Sequence, residues 1–515
     1  MHIPVVTLAL LRQRIMLPAV CFVAFLCSAP IGVAAAEIQT GLLGTGTTWE
    51  TPWRVIDSGE PGPTVLVIGG VHGNEPAGYR AALQIGHWPI VRGRLVVLPR
   101  VNRLGLLADI RWNPDFRNDR VRRDLNRNFP TKERVQTQTP LCQAIWQFVT
   151  EHEPDWAFDL HEGFDFHRLN SKSVGSSVIA FPEQVEFARA LQQAVNADVA
   201  PDRHFDLLAK SGPVNGSLAR ACREQLGAKS FILETTFKDQ PVSKRTRQHR
   251  RMMSTALQRI GLIDVDCADL LIPAGRLDVT RVAIFDDHGA NETKVLNVID
   301  DRPGFFVSHI GPADLRPTVL TQIDVLLFPG GSGSKQGKAI GEERRRHVRQ
   351  YVRDGGGVVG ICAGAFLCTS HYDWSLNLMN AAVFNKTVEI PGKGRKSMWY
   401  RGPATNIDVD VTQDGEAALG IRGLHSISYH NGPILSPGDD PSVPAYTPLA
   451  YFRTENGVYD PQKNTMVGAP AVVESLYGGG RVLAISPHFE STPDQASVVL
   501  RAIEYVRRRP GTESD

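Results

Sequence analysis

Apolar residues along the chain fall into short uninterrupted runs separated by longer amphipathic stretches. Thr64–Val71 is such a run, followed directly by His72-Gly73-Asn74-Glu75, and Arg94–Leu98 is the next. Cys142–Glu151 and Glu183–Val195 carry the 3.6-residue period of helices, while Trp156–Leu160 and Lys229–Leu233 read as further buried strands. Strands separated by helices predict a largely parallel sheet covered on both faces. From Met252 a last helix runs toward Leu270-Leu271-Ile272-Pro273-Ala274-Gly275, a natural join. A second alternation begins at Arg281–Phe285, continues at Asp324–Phe328 and Gly357–Ile361, and closes at Arg481–Ile485. The expectation is two consecutive α/β domains, each a mainly parallel sheet flanked by helices. They occupy residues 37–265 and 280–508, with a linker at 266–279 and a tail at 509–515. The basic run Lys244–Arg251 and the triplet Arg344–Arg346 lie in helical stretches and are expected to be solvated helix faces.

A chain of 515 residues exceeds what one core usually organises, which agrees with two domains. Its 42% hydrophobic and 21% charged residues exclude a disordered chain and a multi-span membrane protein. Arg12 and Arg14 precede an uncharged stretch, Ile15–Ala36, that ends in Ala34-Ala35-Ala36. Residues 1–36 therefore read as a cleavable signal peptide, with an uncleaved anchor as the alternative. The mature protein is expected to be periplasmic or secreted, with no stable membrane span. Lys plus Arg number 56 and Asp plus Glu 54, and both excess cations leave with the signal. A balanced mature chain gives nucleic-acid binding no electrostatic support. Five cysteines remain after Cys21 and Cys27 are removed, an odd number for an oxidising compartment, so at least one is free or pairs between chains. Oligomeric state stays open.

His72 and Glu75 follow one strand closely enough for a short turn to aim both at one point. Asp159-Leu160-His161 ends a second strand and brings another imidazole to the same carboxyl edge, where α/β sheets place their sites. Two His and one Glu with an open fourth position form the ligand set of a catalytic zinc. Glu234 ends a third strand and can take a water's proton and pass it to a leaving amine. In Asp124-Leu125-Asn126-Arg127-Asn128-Phe129-Pro130, Asn126 and Arg127 make a carboxylate-binding pair. Glu162, beside His161, is expected to be a local hydrogen-bonding residue.

Together, Leu66–Pro76, Asn113-Pro114-Asp115, Asp124–Pro130, Asp159-Leu160-His161 and Glu234 resemble zinc carboxypeptidases of the carboxypeptidase A type. The short separation of Glu75 and His161 is most similar to the succinylglutamate desuccinylase/aspartoacylase branch and the murein-peptide amidases. The resemblance implies a zinc-exopeptidase-like fold in which His72, Glu75 and His161 hold one zinc ion. It also implies that Asn126 and Arg127 bind the substrate carboxylate and that Glu234 is general base and acid. Larger carboxypeptidases place a tyrosine between the third ligand and the glutamate, and residues 162–233 contain none. His167, Arg168, an arginine of the second domain, or nothing at all is left to fill that space. A second arginine, to polarise the scissile carbonyl, is sought among Arg117, Arg120, Arg122 and Arg123.

In the second domain the strand Gly357–Ile361 runs into Cys362, then Ala363-Gly364-Ala365 opens a helix. A tight strand-to-helix turn exposes a nucleophile and needs small neighbours. Downstream, Ser486-Pro487-His488-Phe489-Glu490 offers an imidazole to activate the thiol and a carboxylate to orient the imidazole. Gly330 and Gly331 can supply oxyanion N–H groups. Lys338 is followed by Ala339 rather than Ser or Thr, so no phosphate loop is present. Cys362, His488 and Glu490 resemble the triad of class I glutamine amidotransferases. The Gly-Gly loop, Gly360–Ala365 and Tyr429-His430-Asn431-Gly432-Pro433 resemble the amidotransferase-like N-terminal domain of biotin-protein ligases. This implies a flavodoxin-like amidotransferase-like fold over 280–505. A cysteine amidase and a binding domain both remain open, since a fold hosts many functions.

The expected activity is an exported zinc hydrolase that cuts an amide bond next to a free carboxylate, in peptidoglycan-type peptides or N-acyl amino acids. The alternative is a catalytically decayed cell-wall or ligand-binding protein. Loss of a metal ligand would mark it, and His72, Glu75 and His161 are all present.

Overall fold

The computed structural model describes residues 36–272, 279–397, 401–457 and 464–507. The expected signal peptide lies outside them but for Ala36, as do residues 273–278 of the expected linker and the tail 509–515. Residues 36–515 group as one compact unit. Among the described residues no helix is long and apolar enough to cross a membrane.

The first half is built on eight strands, β1 (Glu37–Leu43), β2 (Thr51–Asp57), β3 (Thr64–Gly69), β4 (Arg94–Leu98), β5 (Trp156–Gly163), β6 (Ser177–Ala180), β7 (Asp206–Leu208) and β8 (Lys229–Thr236). Their order in the sheet is β1-β2-β4-β3-β5-β8-β6-β7. The central strands β4, β3, β5 and β8 are mutually parallel, while β1, β2 and the β6–β8 pairing add antiparallel margins. Alternate residues of β3 serve opposite faces, which is why its sequence is continuously apolar. Val65 and Val67 pack with Ala81, Ala82 and Ile85 of α1 (Pro76–Ile85) and with Met252 and Met253. Leu66 and Ile68 pack on the other side with Leu141, Ile145 and Phe148 of α3 (Pro140–His152; α2 is Arg103–Ala108). Helices α4 (Val185–Asn196), α5 (Leu218–Leu226) and α6 (Val242–Ile260) complete the two layers.

The second half holds nine strands in one sheet, β9 (Thr280–Phe285), β10 (Phe305–Ile310), β11 (Val325–Phe328), β12 (Gly357–Ile361), β13 (Thr405–Val411), β14 (Gly423–Tyr429), β15 (Thr447–Phe452), β16 (Pro470–Tyr477) and β17 (Gly480–Ile485). Its order is β10-β9-β11-β12-β17-β16-β15-β13-β14. The expected α/β fold is present, with a sheet that is mixed. Pairings from β10 to β17 are parallel, and those from β17 to β14 are antiparallel. In the antiparallel wing β13 alternates exposed and buried residues in Thr-Asn-Ile-Asp-Val-Asp-Val, the mark of a sheet covered on one face. The parallel half is covered twice. Val359 and Ile361 of β12 meet Val498, Val499 and Ile503 on one face, and Val358 meets Ile340, Val348 and Val352 on the other.

The basic run 244–251 is not a solvated face. It lies in α6, and Arg245 and Arg250 are buried. Arg245 is ion-paired with Glu162, and Arg250 donates to the Ala268 carbonyl and to Gln84. The Ser243 N–H, near the uncapped start of α6, donates to Asp286 at the end of β9. Arg247 reaches Asp314, and Arg80 of α1 pairs with Asp300 at 2.7 Å. Helix α6 thus lies between the two halves: Arg245 and Arg250 are bonded within residues 36–272, and Arg247 reaches Asp314 in the second half.

Candidate metal centre and thiol site

The turn after β3 bends because Gly73 lies against α2. A Cβ there would come within 2.0 Å of the Gly105 carbonyl carbon. This close approach returns the chain so that His72 and Glu75 face one point. His161 arrives from inside β5, which extends to Gly163, three residues further than the apolar run suggests. The three side chains are buried and form the one cluster of metal-ligating type among the described residues. His72 Nδ1 lies 2.8 Å from Glu75 Oε1, His161 Nδ1 lies 2.9 Å from Glu75 Oε2, and the two Nδ1 atoms are 3.1 Å apart. These separations approach the roughly 3.3 Å edge of a tetrahedron of ligands about 2.05 Å from a zinc ion.

Each imidazole is backed by a carboxylate on its far nitrogen, His72 Nε2 by Asp124 at 3.1 Å and His161 Nε2 by Asp159 at 3.0 Å. Such partners fix the ring and raise its basicity as a ligand. Burial opposes charge on Glu75, yet the adjacent imidazoles of His72 and His161 hold it well below the usual carboxylate range. Burial likewise opposes protonation of His161, and Asp159 and Glu75 drive it well above the ordinary histidine value. The donor set therefore fits a single metal ion.

A cleft of about 710 Å3 opens over these residues and is also lined by Arg111, Asn126, Arg127 and Glu234. Glu234 is buried, and burial pushes its carboxyl up to about 8 against the pull of His161, with Glu75 adding to the rise. Arg127 is exposed to the cleft, and its guanidinium touches the protein through one bond to the Asn126 carbonyl at 2.7 Å. Asn126 is held in place, accepting from Leu218 N–H at 3.1 Å with its amide nitrogen 3.3 Å from His161 Nε2.

Arg117, Arg120, Arg122 and Arg123 do not line the cleft. Arg122 pairs with Asp119, and Arg123 sits over the Trp112 ring. The arginine at the site is Arg111, which donates to Glu75 Oε1 at 2.9 Å and lies 3.7 Å from Asp124 Oδ2. Its only sequence signal is its place two residues before Asn113-Pro114. His167 and Arg168 are also absent from the cleft, being engaged with Ser173, Pro201 and Asp206. That wall is the stretch 207–215, braced by Arg220 through the Ser211 and Pro213 carbonyls. Glu162 binds remotely rather than locally. It accepts from Ala77 N–H at 2.6 Å and pairs with Arg245, while its own N–H holds Glu75 Oε2 at 3.0 Å.

In the second half Cys362 sits between β12 and a short helix, Ala363–Cys368, with φ 51° and ψ −100°. This is a sparsely populated conformation for a residue with a side chain, retained only where the surroundings enforce it. Small residues on both sides are required, since a Cβ on Gly364 would come within 2.0 Å of the Phe328 carbonyl oxygen. His488 Nδ1 lies 2.6 Å from Glu490 Oε1, and the Cys362 thiol, 3.5 Å from the His430 carbonyl oxygen, borders the same cavity as the imidazole. Burial disfavours protonation of His488, but Cys362 and Glu490 push it up to about 10. Gly330 and Gly331 border the same cavity, Gly330 so closely that a Cβ would lie 3.4 Å from the His488 ring. The remaining cysteines, Cys142, Cys222, Cys267 and Cys368, are buried and unpaired. Burial pushes Cys142 and Cys368 up to about 12 and Cys267 to about 11.

Residues 45–196 match the family described as "Carboxypeptidase controlling helical cell shape catalytic", and residues 316–507 match "Biotin-protein ligase, N terminal". The first segment thus resembles zinc carboxypeptidases and the second the N-terminal domain of biotin-protein ligases. No curated protein sequence matches the chain. Among solved structures, the mDAP-bound form of Helicobacter pylori Csd4, described as a D,L-carboxypeptidase, is 20% identical with a TM-score of 0.33, covering 39% of this chain and 52% of that one. A succinylglutamate desuccinylase/aspartoacylase from Rhodobacter sphaeroides is 23% identical with a TM-score of 0.33, covering 46% and 70%. PurLQS from Thermotoga maritima is 15% identical with a TM-score of 0.32, covering 44% of this chain and 100% of that one. The chain spans about half the length of the Csd4 structures it matches.

Proposed function

We propose that the first half is an exported zinc-dependent carboxypeptidase that removes a residue bearing a free carboxylate from peptidoglycan-type peptides. The observation that carries this reading is the convergence of His72, Glu75 and His161, each imidazole backed by a carboxylate, beneath a cleft that also holds Glu234 and Arg127. The match of residues 45–196 to a cell-shape carboxypeptidase family supports the substrate class. N-acyl amino acids offer the same amide and carboxylate and are the smaller members of that class.

His72, Glu75 and His161 would hold the zinc ion, which when bound would supply an acidified water and Lewis-acid assistance to the scissile carbonyl. Arg127, free on its cleft side, grips the terminal carboxylate through two parallel N–H bonds. Arg111 places a second positive charge beside Glu75, where it stabilises negative charge developing on the carbonyl oxygen. Glu234 accepts the water's proton and returns it to the leaving amine, a task suited to a carboxyl that titrates near neutral pH. Asn126 holds His161 and the neighbouring turn rather than the substrate alone.

Incubating the zinc-loaded protein without residues 1–36 with muropeptides and N-acyl amino acids, followed by mass spectrometry, tests this. Loss of one carboxyl-terminal residue is the expected result. Intact substrates across the panel, or cleavage that survives Glu234→Gln unchanged, overturn it.

A further inference from the structure

The cleft over the metal centre leaves part of its own rim unused. Residues 111–127 carry six arginines against three aspartates, in a chain whose Lys plus Arg number 56 and Asp plus Glu 54. Arg111 and Arg127, at the two ends of this segment, line the cleft. Asp124 is turned inward onto His72. Asp119 is taken up inside the loop, where one oxygen accepts from the Val121 and Arg122 N–H groups at 2.9 and 3.0 Å and the other from the Arg122 guanidinium at 2.6 Å. The excess of positive charge therefore faces outward. Arg117, Arg120 and Arg122 are exposed, and among the described residues Arg117 and Arg120 pair with no carboxylate. Val121, beside them, is 61% exposed, so the described chain leaves the tip of the loop uncovered.

This loop is built to hold its shape. The Asn113 N–H donates to the Arg123 carbonyl at 2.9 Å and closes the neck, the Arg123 N–H donates to the Asp119 carbonyl at 3.0 Å, and the Asn128 amide donates to the Val121 carbonyl at 3.0 Å. Arg122 lies over the Phe116 ring at 5.1 Å and Arg123 over the Trp112 ring at 4.4 Å. A loop fixed in this way loses little freedom when it binds. Guanidinium groups favour carboxylates, yet one exposed pair is worth little and is screened by salt. The fitting ligand is therefore one that presents many carboxylates at once, a polymer rather than a small molecule. A bilayer fits less well, because both rings lie beneath arginines and the tip offers one valine rather than an apolar face.

We propose that Arg117, Arg120 and Arg122 form an exosite that binds the carboxylate-bearing glycopeptide polymer to which the substrate peptide is attached. The identity of the polymer rests on the carboxypeptidase reading of the cleft, while the binding itself does not require turnover. Stem peptides next to the one being cut meet the loop, and this raises the concentration of scissile bonds at the cleft mouth. A free peptide, too short to reach both places, gains nothing from the loop, since these three arginines do not line the cleft. The exosite thus sets a preference for polymer over fragments without touching the chemistry.

The full chain without residues 1–36 is mixed with purified insoluble peptidoglycan sacculi in EDTA, so that co-sedimentation reads binding without cleavage. Retention on the sacculi is expected at about 0.05 M salt and release at about 0.5 M, where the charges are screened. The double variant Arg117→Gln, Arg120→Gln should bind about three- to tenfold more weakly, the worth of two exposed pairs. Arg117→Lys with Arg120→Lys, which keeps both charges, should retain most of the binding. With zinc supplied, the glutamine variant should cut sacculi more slowly than the parent and free muropeptides at the parental kcat/KM, which guards against a folding defect. Free muropeptides left intact by both proteins would sink the carboxypeptidase reading, and the sedimentation in EDTA would still judge the loop. Absence of the parent from the sacculus pellet at low salt, equal retention of parent and glutamine variant, or tighter binding to phosphatidylglycerol vesicles than to sacculi would each overturn the proposal.

Discussion

His161 and Glu234 are register partners on the adjacent parallel strands β5 and β8. The proposed proton carrier is therefore set beside a metal ligand by sheet hydrogen bonds, and both residues sit on rigid backbone rather than on a loop. This sets strict expectations for their substitution.

Metal affinity should depend on the carboxylates behind the imidazoles. Asp159→Asn and Asp124→Asn are expected to weaken zinc binding by about 10- to 100-fold, as outer partners of ligating histidines commonly do. His161→Ala should strip the metal. Competition with a chromogenic chelator measures both, and full retention of zinc in His72→Ala and His161→Ala would remove the ligand assignment.

Glu234→Gln should retain zinc and substrate but lose turnover by about 10²-fold or more. Since burial pushes Glu234 up to about 8 and it acts as the carboxylate, activity should rise with pH through its titration. A dication beside it favours the charged form, so that limb should lie below 8 in the zinc enzyme. A pH profile of kcat/KM with no acidic limb attributable to Glu234 would contradict this role.

Arg127→Ala and Arg111→Ala should fail differently. The first should raise KM for substrates with a free carboxylate by about 10-fold or more, and act little on their amidated analogues. The second should lower kcat with a smaller effect on KM, because its charge meets the carbonyl oxygen only as negative charge develops. Equal losses on free and amidated substrates in Arg127→Ala would exclude the anchoring role.

The contact between α6 and β9 should loosen as pH rises. Burial pushes Asp286 up to about 7 from an ordinary 3.8, against hydrogen bonds from Ser243 that lower it. The folded state then keeps a proton that the unfolded chain releases, so stability falls as pH rises from about 4 to about 7 and levels off above. The effect is at most a few kcal/mol. Asp286→Asn keeps an acceptor for the Ser243 N–H and cannot ionise, so its melting temperature should fall less than that of the parent between pH 5 and 8. Parallel curves for the two proteins would show that Asp286 carries no such term.

Strands buried on both faces were legible because nothing interrupts their apolar runs, and the residues that end them were legible as chemistry. His72, Glu75, His161 and Glu234 each stand just beyond the carboxyl end of such a run. Arg111 was not legible, because its place is set by the path of an irregular loop rather than by any period. The burial of Arg245 and Arg250 was hidden for another reason. Their partners, Glu162 and the Gln84–Ala268 pair, lie far away in sequence, and a basic helix looks solvated until its cover is known. The antiparallel wing left a trace in the alternation of β13, which marks one-sided burial.

Helix α6 is a party wall, and this binds the fate of one half to the other. Asp286 accepts from the Ser243 N–H near its start, and its Arg245 guanidinium pairs with the carboxylate of Glu162, whose N–H holds the metal ligand Glu75. Separating the halves at the join would remove the Asp314 partner of Arg247 and the Asp286 acceptor of the Ser243 N–H, both within one turn of the Arg245 that pairs with Glu162. Loss of either contact in a second-half variant would thus free the beginning of the helix whose Arg245 backs Glu162, the residue whose N–H holds Glu75.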